Sequence, residues 1–475
     1  MTFRTILRTL TTACLALGAL VSTGTVVAQD ANAPWNQLTG EQLRTQTTRN
    51  LITELLDTVS VDQLRAAAER GDSTAQYFYG YALKRGLGGL TANADAGYPW
   101  SKRSCEAGNP RGCMSEAYNL LGGEGVERNP ALALKRFRSA CEDQIALACG
   151  ITASLVANDA NDIPANPELA IYAYERACIG GNVPSCEQAG NRYRDEASSR
   201  PNPKDSLDYA LDMYARGCER EGRVSCFRAA RLIEANSRYF QQPYARVETL
   251  YRKSCDLELS QACYNLGVIH NEGKLGQPVS NSRATALMDE ACTLGYADAC
   301  YNLGSWLIDG RAGRTDGKRA IELLGPLCLR EDNPDIQACN NAGTAAYRGS
   351  GMPQPDYASA RKFYERACSE GGLVASCRTL SDMYRDGQIT ATSPGEREWL
   401  DAQLCFKAKE QDYCRPETLQ YLVLLRAGEG NFPMAATLSG SLCKVGDLSA
   451  CRTERLLKAC QANSATREYC RRAFD

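Results

Sequence analysis

The chain has 475 residues, with 54 basic and 56 acidic side chains and a formal net charge of −2. Neither this balance nor any run of lysine or arginine supplies a basic face, so the composition excludes nucleic acid as a predicted partner. A single histidine cannot form a zinc protease site alone, and the 23 cysteines are the most informative residues.

The first 28 residues are typical of a secretory signal peptide. Arg4 and Arg8 precede an apolar stretch at residues 15–27, and Val26 and Ala28 fit the small-residue rule for cleavage. We therefore predict a signal peptide at residues 1–28 that is cleaved after Ala28, which leaves 52 basic and 56 acidic side chains.

A lipid anchor on Cys14 is the alternative use of this segment. Thr11 stands three residues before it instead of an aliphatic residue, and most of the apolar run follows the cysteine. No later segment reaches the roughly 18 apolar residues needed to cross a bilayer. We expect an exported protein with no transmembrane span, in the periplasm or outside the cell, where thiols oxidise.

Residues 29–48 are polar and lack periodicity, which predicts a flexible N-terminal segment. Twenty-two cysteines then fall into close pairs, and ten of the pairs recur every 36 to 40 residues within residues 49–475. This period is typical of a stacked helical repeat. The pairs are Cys105 with Cys113, Cys141 with Cys149, Cys178 with Cys186, Cys218 with Cys226, Cys255 with Cys263, Cys292 with Cys300, Cys328 with Cys339, Cys368 with Cys377, Cys405 with Cys414, Cys443 with Cys451 and, out of step, Cys460 with Cys470.

The residues before each first cysteine form one face of an amphipathic helix. Positions eight, four and one residues upstream lie on that face together with the cysteine. The position eight upstream is small in nearly every unit, as in Ala133 and Ala170, with Arg397 as an exception. The position four upstream is large, as in Phe137 and Tyr174, until Asp401 and Ser439 break the trend. The helix after the second cysteine commonly carries a small residue four positions later: Ala117, Gly190, Gly267, Gly304 and Gly343.

The boundaries of these helices are also predicted. Asn129-Pro130 and Asn166-Pro167 place a capping side chain before a proline at the first helical position. A glycine three residues after the first cysteine predicts a left-handed helix end at Gly108, Gly181, Gly295, Gly371 and Gly446. Each pair thus joins the end of one helix to the start of the next. Because the intervening loop is short, we predict eleven local disulfides.

The ends of the array depart from this pattern. In the first unit Ala68 and Gln76 occupy the two cysteine positions around Gly71, which predicts helices without a bridge. Cys460 follows Cys443 by only 17 residues. Both departures are expected of the terminal capping units of a repeat array.

These residues resemble the Sel-one-like repeats, which are related to the tetratricopeptide repeat. The signature Leu-Gly-x-x-Tyr-x-x-Gly is matched by Leu266-Gly267 to Gly273 with His270 at the tyrosine site, by Leu303-Gly304 to Gly310 with Leu307 there, and by Leu380 to Gly387 with Tyr384 in place and Ser381 for the glycine. The cysteine pairs are similar to those of the Hcp-type cysteine-rich subfamily. The resemblance implies an all-α, right-handed α/α solenoid of about ten to eleven repeats. A solenoid presents a long curved surface that needs no catalytic group, so we expect a scaffold that binds protein or peptide partners in the bacterial cell envelope.

The same subfamily implies an alternative function, binding or hydrolysis of β-lactams or peptidoglycan. A serine β-lactamase needs Ser-x-x-Lys on a helix, and the chain has this pattern at Ser359 with Lys362 and at Ser441 with Lys444. Neither match is accompanied by Ser-Asp-Asn or Lys-Thr-Gly, and the second contains Cys443. We therefore interpret both as solvated helix positions and predict no catalytic residue.

We also predict no cofactor and no metal. Structural zinc sites favour two to four residues between cysteines, whereas these pairs are separated by eight or more. His270 is interpreted as a helix-packing residue, with a ligand or base as the alternative. Many of the 23 tyrosines lie on the packing face, but Tyr118, Tyr264 and Tyr301 are candidates to line an inner groove.

Overall fold

A computed structural model of the chain describes residues 32–38 and 48–391, apart from residues 160 and 277, and eight single positions between 397 and 458. These described residues form nineteen α-helices and three short 3-10 turns, without a β-strand. The chain divides into two compact units, residues 1–225 and 226–475.

Several sequence predictions fall outside the described residues. They are the signal peptide with its cleavage after Ala28, the helix end at Gly446, and the bridges of Cys405 with Cys414, of Cys443 with Cys451 and of Cys460 with Cys470. Of the eleven predicted disulfides, these last three therefore stay predictions.

The helices follow one another with short connections in both units. Unit 1 contains α1 (Thr48–Leu56), α2 (Val61–Glu69), α3 (Ser73–Arg85), α4 (Ala94–Glu106), α5 (Pro110–Gly122), α6 (Pro130–Glu142), α7 (Ala146–Val156), α8 (Pro167–Ile179), α9 (Val183–Ser198) and α10 (Lys204–Glu219). The boundary between the units falls within α11 (Arg223–Ala235). Unit 2 contains α12 (Pro243–Asp256), α13 (Ser260–Glu272), α14 (Asn281–Thr293), α15 (Ala297–Asp309), α16 (Gly317–Cys328), α17 (Ile336–Arg348), α18 (Tyr357–Ser369) and α19 (Val374–Arg385).

Within each unit the helices stack as repeats. Successive helices pack along the chain, and helices two apart also touch, as α3 and α5 do in unit 1 and α15 and α17 in unit 2. A helix hairpin alone cannot bury its apolar face, so each repeat depends on its neighbours for a core. The predicted all-α repeat solenoid is confirmed.

Small and large residues interlock between consecutive helices. A Cβ added at Gly343 of α17 would lie 2.7 Å from the Tyr364 ring of α18, and one added at Gly304 would lie 2.6 Å from Leu324. Tyr364 and Leu324 are the large residues four positions before a cysteine, and both are buried. The small residue four positions after the second cysteine of one pair therefore packs against the large residue four positions before the first cysteine of the next pair.

The predicted helix starts are confirmed at two of these helices. Asn129 accepts a hydrogen bond from the Leu132 backbone N–H at 3.0 Å, and Asn166 accepts one from Leu169 at 2.9 Å. A proline occupies the first turn in both helices, where its missing N–H has no intrahelical acceptor to lose.

Seven disulfides join consecutive helices in the described residues, with Cα–Cα distances of 4.2–4.9 Å. We call each of these turns a bridged joint. Cys218 and Cys226 also take part in disulfides. The seven pairs are Cys105 with Cys113, Cys141 with Cys149, Cys178 with Cys186, Cys255 with Cys263, Cys292 with Cys300, Cys328 with Cys339, and Cys368 with Cys377.

The bridged joints with a spacing of eight share one backbone turn. At the first of them Gly108 has φ +82° and donates its N–H to the Cys105 carbonyl at 2.9 Å, while Asn109 donates to Ser104 at 3.0 Å. This is the left-handed helix end predicted from the glycine pattern.

Two joints have longer loops. Cys328 and Cys339 are separated by eleven residues and still form a local bridge, so the added loop residues do not prevent pairing. Cys368 and Cys377 are separated by nine. There the prediction of a left-handed Gly371 is wrong, because Gly372 takes the positive φ of +60°.

The joint between α2 and α3 has the same turn without a disulfide. Gln76 Nε2 donates to the Ala68 carbonyl at 3.1 Å, across the same eight residues that separate most cysteine pairs. At the bridged joint of α4 and α5, the disulfide sulfur of Cys113 lies 3.6 Å from the Cys105 carbonyl oxygen. A side-chain hydrogen bond therefore takes the place of the bridge.

Part of the predicted flexible N-terminal segment packs against this first joint. Trp35 is buried, and its Nε1 donates to Asp72 Oδ2 at 3.1 Å. Asn36 Nδ2 donates to the same oxygen at 2.9 Å. The other oxygen of Asp72 caps α3 by accepting from Thr74 and Ala75. One carboxylate thus fixes both the start of α3 and the preceding segment.

Candidate functional site

A groove of about 1350 Å³ lies on the surface of unit 1. Its residues come from α1, α3 and α5, from the turn between α6 and α7, and from the ends of α8 and α10. The stacking of repeats therefore brings together residues that are far apart in sequence. We define the unit 1 groove by the side chains Arg49, Tyr77, Tyr81, Lys84, Arg85, Arg111, Met114, Ser115, Tyr118, Leu121, Glu124, Gln144, Ile145, Leu147, Arg176, Ile179, Asn182 and Arg220.

The groove concentrates positive charge. Six of its lining residues are arginine or lysine, and Glu124 is the single acidic one. Glu124 forms an ion pair with Lys84. The hydrogen bond from Lys84 lowers the pKa of the Glu124 carboxyl, so it stays ionised at neutral pH and neutralises that lysine. The other cations of the groove are Arg49, Arg85, Arg111, Arg176 and Arg220.

Three of these cations form no ion pair with any residue that the structure describes: Arg49, Arg85 and Arg176. The Arg85 guanidinium lies 6.0 Å from the centre of the Tyr81 ring, where an aromatic face attracts a cation. Arg220 instead donates to the backbone carbonyls of Ile179 and Arg216, at 3.3 Å each. That side chain shapes the end of the groove while keeping its charge.

Apolar side chains are exposed between the charges. Tyr118, Leu147 and Ile179 are 42%, 49% and 56% exposed, which is high for large apolar residues. Tyr118 packs edge-on against the buried Phe137 ring, with centroids 5.1 Å apart. Its orientation is therefore fixed by the core while part of the ring remains open to solvent. Such preordered aromatic residues are common at protein interfaces.

The sequence predicted one of these residues and missed the charge. Tyr118 was a candidate groove residue and does line the groove. The basic face was missed because the chain as a whole is nearly neutral, and among the cations of the groove only Lys84 and Arg85 are neighbours in sequence. Aligning positions one repeat apart, such as Tyr81 with Tyr118, is the signal that finds residues sharing one surface.

Tyr264 and Tyr301, the other predicted groove residues, lie in unit 2 in a different environment. Asn302 donates to the Tyr264 hydroxyl at 3.3 Å, and Asn341 donates to the Tyr301 hydroxyl at 3.2 Å. Each asparagine comes from the repeat after its tyrosine, and all four side chains are half-buried. We call these pairs the tyrosine–asparagine ladder. Its polar groups hydrogen-bond one another, so it links repeats.

His270 is buried in α13, as its predicted packing role requires. Burial lowers the pKa of its imidazole, an effect that the nearby Glu248 carboxylate partly opposes from 3.6 Å. The ring is therefore neutral at pH 7. No other histidine exists in the chain to act with it.

Ser359 lies in the first turn of α18, where it forms hydrogen bonds with the capping carboxylate. Its backbone N–H donates to Asp356 Oδ1 at 3.0 Å, and its hydroxyl also hydrogen-bonds this carboxylate, which lowers the pKa of Asp356. Lys362 is exposed. This arrangement is that of a helix N-terminus. Ser441 and Lys444 lie outside the described residues.

One group of potential metal ligands occurs in the described part of the chain. Cys255, Cys263 and Glu290 have ligand atoms within 4.8 Å of one another. The two sulfurs are bonded to each other, and zinc requires thiolates. In the oxidised protein this group is therefore a bridge beside a carboxylate.

In the part of the chain that the structure describes, none of the helices combines the length and the apolar character that a membrane span requires.

A protein-family model matches six segments of the chain. The family model described as Sel1 repeat matches residues 73–109, 114–144, 157–182, 260–296, 297–328 and 336–372. Each of the matches at 73–109, 260–296 and 336–372 contains two consecutive helices, for example α3 with α4. The bridged joints after α4, α14 and α18 therefore connect one repeat to the next, not the two helices inside a repeat.

Proteins named cytochrome c oxidase assembly factor 7 are also similar to this chain. The protein from Mus musculus is 35% identical over 85 residues, which are 17% of this chain and 36% of that protein. The protein from Xenopus tropicalis is 29% identical over 209 residues, which are 43% of this chain and 71% of that protein. The match thus spans about a third of the mouse relative.

A solved structure agrees in fold. It is a protective antigen present in uropathogenic Escherichia coli strains that displays an SLR fold. The two are 17% identical, with a TM-score of 0.51, and the match covers 91% of this chain and 92% of the antigen. At this identity the likeness concerns the fold alone.

Proposed function

We propose that this protein, which is built from Sel1 repeats, is an exported scaffold that binds proteins or peptides in the bacterial cell envelope through the unit 1 groove. The observation that carries the proposal is the groove itself, which is lined both by exposed tyrosine, leucine and isoleucine side chains and by cations. Large apolar side chains on a surface lose contact with water when a partner covers them, which favours association.

The repeats and the relatives support a binding role. Sel1 repeats typically mediate protein–protein interactions, and six of them occur here. The vertebrate relatives are named as an assembly factor, a role that requires contact with other proteins. The envelope location rests on the predicted signal peptide and on the disulfides, which persist in oxidising compartments.

Affinity capture tests the proposal. The oxidised chain, immobilised and exposed to periplasmic extract, should retain a specific set of proteins identified by mass spectrometry. The variant Tyr118→Ala/Ile179→Ala should lose most of that set, because it removes two exposed apolar contacts of the groove. Cell fractionation of the full-length chain should place it in the periplasm or the medium.

A matched variant outside the groove controls for the loss of apolar surface. Tyr244 and Val279 of unit 2 are exposed to a similar degree, 42% and 62%, and neither lines the groove. Tyr244→Ala/Val279→Ala should retain partners as the unmodified chain does. The proposal of binding through this groove is contradicted if both variants retain the same partners equally well, or if the unmodified chain retains no specific protein.

The β-lactam-directed enzyme is the alternative that the resemblance implies. Turnover of the chromogenic cephalosporin nitrocefin by purified protein, lost in Ser359→Ala or Ser441→Ala, would support it. Absence of turnover at micromolar protein would rule it out.

A further inference from the structure

The charge of the unit 1 groove is opposite to that of the chain that carries it. The whole sequence has a net charge of −2, whereas the groove contains six cations and one carboxylate. Because the carboxylate is paired with Lys84, the free charge of the groove is more positive than any average over the chain predicts. A partner segment that carries negative charge is therefore electrostatically complementary to the groove.

The cations and the exposed apolar residues occupy the same surface. Arg176 and Ile179 lie one turn apart at the end of α8, and both line the groove. Lys84 and Arg85 end α3 near Tyr81, while Tyr118 lies on the adjacent α5. A partner that contacts the cations must also cover apolar surface, so a simple inorganic anion does not satisfy the groove.

We infer that the unit 1 groove binds an extended acidic segment of a partner protein that carries both aspartate or glutamate residues and large apolar ones. The inference rests on the proposed protein-binding function and names the chemistry of the partner. The carboxylates pair with Arg49, Arg85 and Arg176, which have no ion-pair partner among the described residues. The apolar side chains of the segment pack on Tyr118, Leu147 and Ile179.

A single-stranded nucleic acid would also supply negative charge, but it fits this surface less well. Bases bind proteins by stacking on aromatic rings or on guanidinium planes. Leu147 and Ile179, the two most exposed apolar residues of the groove, are branched aliphatic side chains with no flat face. They are suited to the apolar side chains of a peptide.

Fluorescence anisotropy with labelled peptides tests the inference on the oxidised full chain. The probes are peptides of about ten residues, which span roughly 33 Å when extended. One peptide pool mixes Asp or Glu with Leu, Ile or Phe in varied order, and a second pool replaces each acid by its amide. An oligonucleotide of similar length is the third probe. The acidic pool should bind at least tenfold more tightly than the amide pool, and its affinity should fall as salt rises.

Charge reversal locates the binding. Arg85→Glu/Arg176→Glu should weaken binding of the acidic pool by tenfold or more. Lys102→Glu/Lys135→Glu changes the net charge equally at exposed positions of unit 1 that do not line the groove, and should weaken it less than threefold. Circular dichroism of both variants, unchanged from the parent chain, confirms that they are folded.

The outcomes separate this inference from the proposed function. If both peptide pools bind equally and Tyr118→Ala/Ile179→Ala abolishes both, the groove binds peptides and the acidic assignment is wrong. If the oligonucleotide binds as tightly as the acidic pool, the peptide assignment is overturned. If no probe binds while affinity capture still retains proteins through the groove, an extended acidic segment is excluded and the scaffold remains.

Discussion

The joint between α2 and α3 and the bridged joint between α4 and α5 share the same backbone turn but are stabilised by different side-chain interactions. In both, a residue at the end of the first helix and a residue eight positions later approach each other across a glycine of positive φ, Gly71 or Gly108. One pair is Ala68 with Gln76, joined by a hydrogen bond, and the other is a disulfide.

The comparison separates what specifies the turn from what stabilises it. Both joints form the same pattern of two backbone hydrogen bonds. In the first of these bonds, Gly71 donates to the Ala68 carbonyl at 3.1 Å, and Gly108 at the bridged joint donates to the Cys105 carbonyl at 2.9 Å. Since the turn forms without a bridge, the glycine helix end and the packing of the small residues are sufficient to define it. The disulfide adds stability mainly by restricting the unfolded chain.

Reduction should produce the largest difference between the two kinds of joint. Each bridge closes about nine residues and contributes about 2–3 kcal/mol in the chain-entropy model. Hydrogen exchange on the full chain should show the amides of α4 and α5 exchanging roughly 30- to 150-fold faster after reduction. The amides that flank Gly71 should change least, and the thermal midpoint should fall. Equal acceleration at both joints would mean that the bridges act on the whole array.

A new bridge at the first joint should remove the difference. Ala68→Cys/Gln76→Cys places thiols at the two positions that match the cysteines elsewhere, so a disulfide should form and stabilise the joint by about 2 kcal/mol. Peptide mapping without reductant detects the bond, and hydrogen exchange measures its effect. Each single cysteine variant serves as the control. Thiols that stay free would show that the two turns differ more than their hydrogen bonds indicate.

Removal of the Asp72 carboxylate should weaken the first joint alone. Its two oxygens accept from Thr74, Ala75, Trp35 and Asn36, so Asp72→Ala removes a helix cap and leaves a buried indole N–H without an acceptor. A loss of about 2 kcal/mol is expected. Faster hydrogen exchange in α3, with α5 unchanged, measures it. Asp72→Asn keeps an oxygen for the cap and should lose less.

The Gln76 hydrogen bond should contribute least. Its Nε2 donates to Ala68, but its Oε1 is buried with no hydrogen-bond partner, so one favourable and one unfavourable contact nearly balance. Gln76→Met, similar in size, should cost about 1 kcal/mol or less. Gln76→Glu places a carboxylate against the Ala68 carbonyl and should cost more. A larger loss in Gln76→Met than in Asp72→Ala would contradict this order.

The sequence predicted the joints well because their determinants are local. The nine residues from Cys141 to Cys149 contain both thiols and both helix boundaries. Where the loop gains a residue, between Cys368 and Cys377, the prediction was wrong by one position, since the left-handed residue moved from Gly371 to Gly372.

The groove was predicted only at Tyr118 because its chemistry is not local. Arg49 and Arg220 contribute to one surface from opposite ends of unit 1, and neither has a neighbouring motif. The hydrogen bonds of Tyr264 and Tyr301 were missed for the same reason, although the recurring Cys-Tyr-Asn triplet at Cys263 and Cys300 contains both partner types of the ladder. Comparing equivalent positions of successive repeats shows which residues share a surface, whereas the overall composition of the chain does not.

The placement of the bridges between repeats gives the array a modular length. Cys141 pairs with Cys149 and Cys178 pairs with Cys186, each with a separation of eight. Deleting residues 142–178 would remove one cysteine from each pair and leave Cys141 eight residues before Cys186, so the survivors could pair. In-frame recombination between equivalent positions therefore lengthens or shortens the protein without leaving an unpaired cysteine. The number of repeats can change in this way while every remaining cysteine keeps a partner at the same spacing.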